Sequence, residues 1–400
     1  MRSFPIAVTA LLAAVDLVSA YPGMGQQMDE LMSLKERQNT PELIGDLLTL
    51  ADEELTPTGA AIKAILLNQA AGQDATSNVT LPVPPKGSAA CAADTCCIWK
   101  HIADEMASAM VGSALRCNNL ARAAIRLGFH DAGTWSKSTV GGGADGSAVL
   151  ARECENRPSN NGLQNVCSQM RAWHQNYQVY GISMADLIQM GANVATVVCP
   201  LGPRVRTFVG RVDSSTPNPD GLLPGAFQSA DELIAMFEDK TISPAALIAL
   251  VGAHSTSQQR FVDQGRAGDP QDRTPGVWDV NFYDEIKSTS SPARVFKFQS
   301  DINLSVDPRT SGTWNAFMSP NGQRPWNGAY ARAYVRLSLL GVNNINDLTE
   351  CTKVLPPPIT DGFPIPDEVE MGRFLQGPRN RQATDALLEG DLLPEFVENL

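Results

Sequence analysis

Histidine is scarce in this chain: 400 residues hold four, His101, His130, His174 and His254. Any imidazole chemistry is confined to those positions. Positive charge is also short. Lys and Arg total 31 against 43 Asp and Glu, a formal net charge of -12, which argues against nucleic acid and anionic membrane surfaces as partners. Beyond the first 20 residues no segment supplies the about 20 consecutive apolar residues of a spanning helix, so the mature protein is not expected to cross a membrane. Internal repeats and coiled-coil heptads are absent. Strand signals are few and short, the best being Arg206 to Val209 before Gly210-Arg211, so the fold is expected to be mainly α.

What is present begins with an export signature. Met1-Arg2 precedes an apolar run from Phe4 to Val18 that ends Val-Ser-Ala20, a basic start, a hydrophobic stretch and a small-residue cleavage site. A secreted, extracellular protein is expected, with residues 1–20 as signal peptide. Asn78-Val-Thr80 and Asn303-Leu-Ser305 are sequons that secretion would make usable. Eight cysteines form an even set, 91, 96, 97, 117, 154, 167, 199 and 351. In an exported chain they predict four disulfides, with 105 pairings open from sequence alone. A zinc site at Cys96-Cys97 is the alternative, but paired Cys or His nearby are lacking.

Residues 21–89 carry no nameable chemistry and read as an N-terminal extension or propeptide. Leu43 to Leu50 and Ala60 to Leu67 fit short amphipathic helices, and Leu81 to Lys86 reads as a proline-bearing linker. From Cys91 the pattern turns helical, with Ile98, Ile102, Met106 and Met110 four apart. Ser183-Met-Ala-Asp186 and Ser229-Ala-Asp-Glu232 resemble capping boxes, and Ser243-Pro244 offers an N-cap with a first-turn proline. Trp326, Tyr330, Tyr334 and Leu337 share one helical face, a pattern of core packing. Pro356-Pro-Pro358 opens a tail over 356–400 expected to wrap the surface or stay mobile.

The chain is organised around Arg126-Leu-Gly-Phe-His130-Asp131 and the following Gly-Gly-Gly143-Ala-Asp145-Gly-Ser147. If Asn118 caps a helix through Leu127, Arg126 and His130 lie four apart and converge, placing a fixed cation beside a titratable base. Asp131, Asp145 and Ser147 offer oxygen ligands around a glycine-rich turn, a set suited to Ca2+. By itself this is equally a buried His with a flanking Arg and an ordinary Gly/Asp loop. A second histidine region decides between the two.

Together these motifs resemble the distal haem side of the plant-peroxidase superfamily, closest to the secreted fungal class II haem peroxidases. The similarity covers about residues 90–355, and Leu247 to Ala253 followed by His254-Ser255 matches the family's proximal Ala-His-Ser. The resemblance implies an all-α fold in which a distal half (about 90–225) and a proximal half (about 226–355) sandwich one haem b, with few short strands. It implies Arg126, His130 and Asn160 as catalytic residues, and Phe129 lying over the distal haem face. His254 would ligate the iron and Asp301, in Phe298-Gln-Ser-Asp301, would accept its N–H. Two Ca2+ sites follow, one from Asp131, Gly143, Asp145 and Ser147, the other from Ser255, Asp272, Thr274, Val277 and Asp279. The implied disulfides are Cys91–Cys97, Cys96–Cys351 and Cys117–Cys199, which leaves Cys154 with Cys167. Where the family carries an acid six residues before Asn160, Cys154 stands here between Glu153 and Glu155. His101 and His174 match nothing catalytic and read as surface residues.

The function implied is a monomeric peroxidase that uses hydrogen peroxide to oxidise phenolic or other small aromatic reductants. Manganese peroxidases carry two glutamates on the distal helix and an aspartate after the proximal His, where this chain has Asn119, Ala123 and Arg260. Lignin and versatile peroxidases carry an exposed tryptophan where this chain has Ala249. A manganese or ligninolytic peroxidase is therefore the lesser enzyme reading, and a non-catalytic secreted haem- or calcium-binding protein the alternative of another class.

Overall fold

The structure, a computed structural model, describes residues 41–360 and 362–395. The signal peptide expected over 1–20 lies outside the described residues. From Pro41 onward the 21–89 stretch, expected to be an extension or propeptide, is part of the core. A short 3-10 turn (Gly45–Leu48) buries Leu47, and helix α1 (Pro57–Leu66) buries Ile62, Ile65 and Leu66 in the same apolar cluster as the central helices. Burying each such aliphatic side chain contributes about 2 kcal/mol. Thr56 caps α1 by accepting the Gly59 N–H at 3.0 Å, and its hydroxyl donates to the Asn346 carbonyl at 2.5 Å. The segment is thus fastened to the far end of the chain, and removing it would strip the core.

Helix α2 (Thr95–Ala109) starts on Asp94, whose carboxylate accepts the Cys96 N–H at 2.9 Å. Helix α3 (Asn119–Ala132) starts on Asn118, whose Oδ1 accepts the Ala121 N–H at 3.2 Å. Helix α4 (Gln164–Tyr177) leads to α5 (Met184–Val198), which is buried over nearly its whole length. Ser183 caps α5, but the reciprocal half of the expected capping box is missing because Asp186 is used elsewhere. Its carboxylate accepts from Arg211 Nη1 at 2.9 Å and the Gly210 N–H at 2.6 Å. Helices α3 and α5 pack closely at Gly128, where an added Cβ would come within 2.6 Å of the Ala192 methyl and 2.2 Å of the Tyr334 hydroxyl.

The one sheet among the described residues is a two-residue antiparallel pair, β1 (Phe208–Val209) with β2 (Thr349–Glu350). Helix α6 (Ala230–Glu238) has the full Ser229/Glu232 capping box, and α7 (Pro244–Val251) the Ser243 cap with Pro244 in its first turn. A 3-10 turn, Gly252–Thr256, continues α7 and carries His254. Then come α8 (Asn281–Lys287), α9 (Gln299–Val306), α10 (Ser311–Met318) and α11 (Gln323–Leu337). Helix α11 bridges α5 and α7: Tyr334 donates to Gln189 of α5 at 3.0 Å, and Trp326 donates to the Ala249 carbonyl of α7 at 2.9 Å. Among the described residues no single helix is long and apolar enough to cross a membrane.

The tail docks. Helices α12 (Glu368–Gln376) and α13 (Arg381–Glu389) build a small cluster of Met371, Phe374, Leu375, Ala383 and Leu387 against Val295. A buried bidentate pair at 2.7 Å, Arg116 with Asp367, clasps it to the body, and Arg122 donates to the Leu387 carbonyl at 2.6 Å.

Candidate active site and cation loops

Because α3 runs unbroken from Asn119 to Ala132, Arg126 and His130 are one turn apart, and Arg126 Nε donates to His130 Nε2 at 3.2 Å. His130 Nδ1 faces Asn160 Oδ1 at 2.8 Å. Asn160 is buried, and its amide orientation follows from Nδ2 donating to the Glu153 carbonyl at 3.1 Å. Oδ1 is therefore the acceptor, Nδ1 carries the imidazole proton, and Nε2 is the unprotonated nitrogen whose lone pair accepts the Arg126 Nε–H. Burial, reinforced by the Arg126 charge and opposed by the Asn160 hydrogen bond, lowers the His130 pKa to about 3. The Arg126 guanidinium is held by the carbonyls of Asn161 at 2.8 Å and Ser159 at 2.9 Å. Glu153 enters through its main chain, and its carboxylate accepts the Asn218 N–H at 2.7 Å and pairs with Arg157 at 2.6 Å.

Phe129 meets the edge of His130 at 5.8 Å and stacks on Phe237 of α6 at 6.0 Å. Helix α6 packs in turn on α7 and α9, so one wall joins the two histidine regions. On the second side His254 Nδ1 donates to Asp301 Oδ2 at 3.0 Å, with the ring between the edges of Phe282 at 5.8 Å and Phe298 at 5.5 Å. Among the described residues His254 Nε2 has no hydrogen-bond partner, although the side chain is only 36% exposed. Gly252 permits this placement, since an added Cβ would clash with the Tyr283 hydroxyl at 2.3 Å and Trp326 at 2.5 Å. A neutral imidazole fixed by a carboxylate and presenting a bare Nε2 among apolar rings fits an axial haem ligand.

Both acidic loops bear the mark of a cation site. Asp131 is fully buried, its carboxylate accepting the N–H groups of Gly146 and Ala148 at 3.1 Å, and Ser147 Oγ is buried without a partner. Burial and the neighbouring Asp145 push the Asp131 pKa well above the usual range, and burial raises Asp145 as well. Asn218, which sequence reasoning missed, donates to Asp145 Oδ1 at 3.1 Å and to the Gly143 carbonyl at 3.3 Å. In the second loop Asp272 Oδ2 is buried and unpartnered, while Ser255 Oγ reaches the Val277 carbonyl at 3.3 Å. Thr274 donates its backbone N–H to Asp272 Oδ1 at 2.9 Å, and its hydroxyl accepts from Asn281 at 3.1 Å. Burial and Asp279 push Asp272 well up, and burial raises Asp279 to about 6. Buried acids in pairs beside orphaned oxygens are costly without a cation, and both donor sets fit Ca2+.

The cysteines form Cys91–Cys97, Cys96–Cys351, Cys117–Cys199 and Cys154–Cys167. Cys91, Cys97 and His101 come close together, but both sulfurs are oxidised, which leaves no thiolate for zinc. His101, expected at the surface, is half-buried with Nε2 on the Pro84 carbonyl at 2.9 Å, and His174 is also half-buried. Asn78 is exposed, whereas Asn303 sits in α9 with its amide on the Gln228 carbonyl at 2.9 Å.

The sequence profile described as Peroxidase matches residues 103–319. A peroxidase of Arthromyces ramosus is 31% identical over 291 residues, 66% of this chain and 77% of its own length. A peroxidase of Coprinopsis cinerea is 30% identical over 332 residues, 77% of this chain and 88% of its own. Manganese peroxidase 3 of Phlebia radiata is 31% identical over 270 residues, 62% and 73% of the two chains. Matches of this extent, on a helical fold that presents two histidines of opposite chemical character, make the chain a haem peroxidase of the fungal class II branch of the plant-peroxidase superfamily.

Proposed function

We propose that the chain acts outside the cell, as a monomer, and uses hydrogen peroxide to oxidise phenols and other small aromatic donors one electron at a time. The observation that carries this reading is the relay Asn160–His130–Arg126, which leaves a proton-free Nε2 beside a fixed positive charge. His130 accepts the first proton of peroxide at Nε2 and delivers it to the departing oxygen, while Asn160 Oδ1 holds Nδ1–H and steadies the imidazolium that forms. Arg126, anchored by the Ser159 and Asn161 carbonyls, stabilises the negative charge that develops as the O–O bond breaks. His254 Nε2 would hold the iron of haem b, and the bound haem would supply the redox chemistry, two oxidising equivalents per peroxide. Asp301 fixes the orientation and tautomer of that imidazole by accepting its Nδ1–H. Phe129 keeps water from the His130 side, and the two Ca2+ are held by the loops that follow each histidine.

The donor assignment rests on the residues at the two specialised positions. Asn119 and Ala123 are half-buried and Arg260 exposed, so no carboxylate is offered to Mn2+ there. Ala249 is fully buried, which leaves no exposed indole at that relay position. The test is a donor panel on the holoenzyme. Phenols and dyes such as ABTS are expected to turn over, with negligible Mn2+ and veratryl alcohol oxidation. Saturable Mn2+ oxidation would sink the assignment. A haem spectrum that peroxide does not change would favour a non-catalytic binding protein.

A further inference from the structure

We propose that the cleft between the loop after His254 and helix α13 is a docking site for aromatic donors that carry a carboxylate. The proposal rests on the peroxidase reading above and names the donor class. The cleft measures about 470 Å³ and is lined by Arg260, Gly268, Arg379, Arg381, Asp385 and Leu388 among others, a size suited to a small aromatic molecule.

Three guanidinium groups and one carboxylate line the cleft, and the carboxylate, Asp385, pairs only with Arg381 among the described residues. Arg260 is exposed and has no hydrogen-bond or ion-pair partner among the described residues. Arg379 donates only to the main-chain carbonyls of Gly265 at 3.0 Å and Ala267 at 2.7 Å, neutral partners that leave its charge free. Arg381 is 95% exposed and stands 3.7 Å from Asp385, a loose pair. In a chain of net charge -12 the cleft lining is a local excess of positive charge, which favours approach of an anion. A guanidinium fork suits a carboxylate better than it suits any neutral donor, and it repels Mn2+.

The floor is apolar and closed. Leu388 is buried at the base, and Gly268 lies so close to α13 that an added Cβ would meet the Thr384 methyl at 2.6 Å. A ring can rest there while its carboxylate meets the arginines. Position links the cleft to the chemistry. The residue after Arg260 is Phe261, 54% exposed, whose ring would lie 2.7 Å from a Cβ on Gly162. Arg126 Nη1 lies 3.5 Å from that same point. Arg260 also acts on Arg122, one turn before Arg126 on α3. The loop that supplies Arg260 to the cleft thus also reaches, through Phe261, the Gly162 turn beside Arg126. The reaction balances as two phenols and one hydrogen peroxide giving two phenoxyl radicals and two waters, each phenol losing one electron and one proton.

The test compares ferulate with its uncharged methyl ester on the resting holoenzyme. Equilibrium binding is measured at low and high salt, and KM for both is measured with peroxide, in the wild type and in Arg260→Gln/Arg381→Gln. The haem absorption spectrum serves as the folding control. Ferulate should bind about five-fold more tightly than the ester at low salt, a preference that high salt and the double variant both erase. Equal binding of acid and ester in the wild type overturns the proposal, as does a preference that survives in the double variant. If the holoenzyme binds ferulate preferentially but oxidises neither compound, the donor chemistry fails and the anion site stands. If it oxidises both but binds them equally, the cleft alone fails.

Discussion

Replacing Asn160 by Ala isolates the part that a single oxygen plays in peroxide activation. The side chain is buried, accepts from His130 Nδ1 at 2.8 Å and donates to the Glu153 carbonyl at 3.1 Å. Truncation removes a hydrogen bond worth about 1 kcal/mol net and leaves a buried N–H unmet at about 1–2 kcal/mol more. The bond strengthens as His130 acquires a proton, since its donor becomes cationic. Most of that 2–3 kcal/mol should therefore appear in the barrier, which corresponds to about 30- to 150-fold in rate. Stopped-flow measurement of the second-order reaction with hydrogen peroxide reads it directly, with the resting haem spectrum as control. Asn160→Asp keeps an acceptor oxygen at the same place but cannot donate to the Glu153 carbonyl. Comparing the two variants thus separates the Oδ1 contribution from the Nδ2 one. Asp should recover at least about ten-fold over Ala. A rate for Asn160→Ala within three-fold of wild type would refute the reasoning, and so would an Asp variant as slow as the Ala variant.

His254→Ala should abolish stable haem binding, whereas His130→Ala should keep the haem and lose peroxide activation by about 10²–10⁴-fold; equal haem loss in both would contradict their separate roles. Chelating calcium should inactivate the enzyme with loss of the native haem spectrum, because Asp131 and Ser255 each adjoin a site histidine; an unchanged spectrum in a sample shown by elemental analysis to be calcium-free would reject both cation loops. Lys240 is fully buried with Nζ on the Trp135 carbonyl at 2.9 Å, and burial lowers its pKa from 10.5 to about 8. Holding it charged therefore costs stability in full below pH 8, about 3 kcal/mol by the shift, and the cost disappears as pH rises through 10.5. Urea unfolding should show wild type gaining on Lys240→Met between those limits, and parallel pH profiles would exclude the effect.

Local chemistry carried much of the architecture into the sequence. Asn118, Ser183, Ser229 and Ser243 each cap the helix their position announced, because a cap needs only its own first turn. Arg126 and His130 were legible for the same reason, as a four-residue spacing on one helix. Contacts that span the chain left no local trace. Residues 41–88 show two short amphipathic patterns but no sign of what they pack on, and Thr56 is fastened to Asn346, 290 positions away. The tail reads as acid- and proline-rich, yet it docks through Asp367 on Arg116. Asn218 joins the distal acidic loop from 73 residues beyond Asp145, with no motif around it. Glu153 acts through its carbonyl, which every residue type possesses, so no side-chain pattern could reveal it.

The same long-range contacts explain why two cation loops in different halves of the chain would both bear on His130. Helix α3 ends at Asp131, whose carboxylate closes the first loop on the N–H groups of Gly146 and Ala148. Its start is held by the other loop: Cys117 donates its N–H to the Gly276 carbonyl at 3.1 Å, and Gly276 lies between Thr274 and Val277. Gly276 adopts φ +82 and approaches so closely that an added Cβ would meet the Cys117 carbonyl at 2.9 Å. Cys117 is also bonded to Cys199 at the end of α5. The helix that carries Arg126 and His130 is thus gripped at both ends. Each grip contains buried carboxylates whose negative charge a bound cation would offset. Losing either ion would free one end of α3, and a rotation of that helix would move Arg126 and His130 together, since both project from the same face. Two bound cations would in this way turn the cost of burying those acids into a fixed geometry for Arg126 and His130.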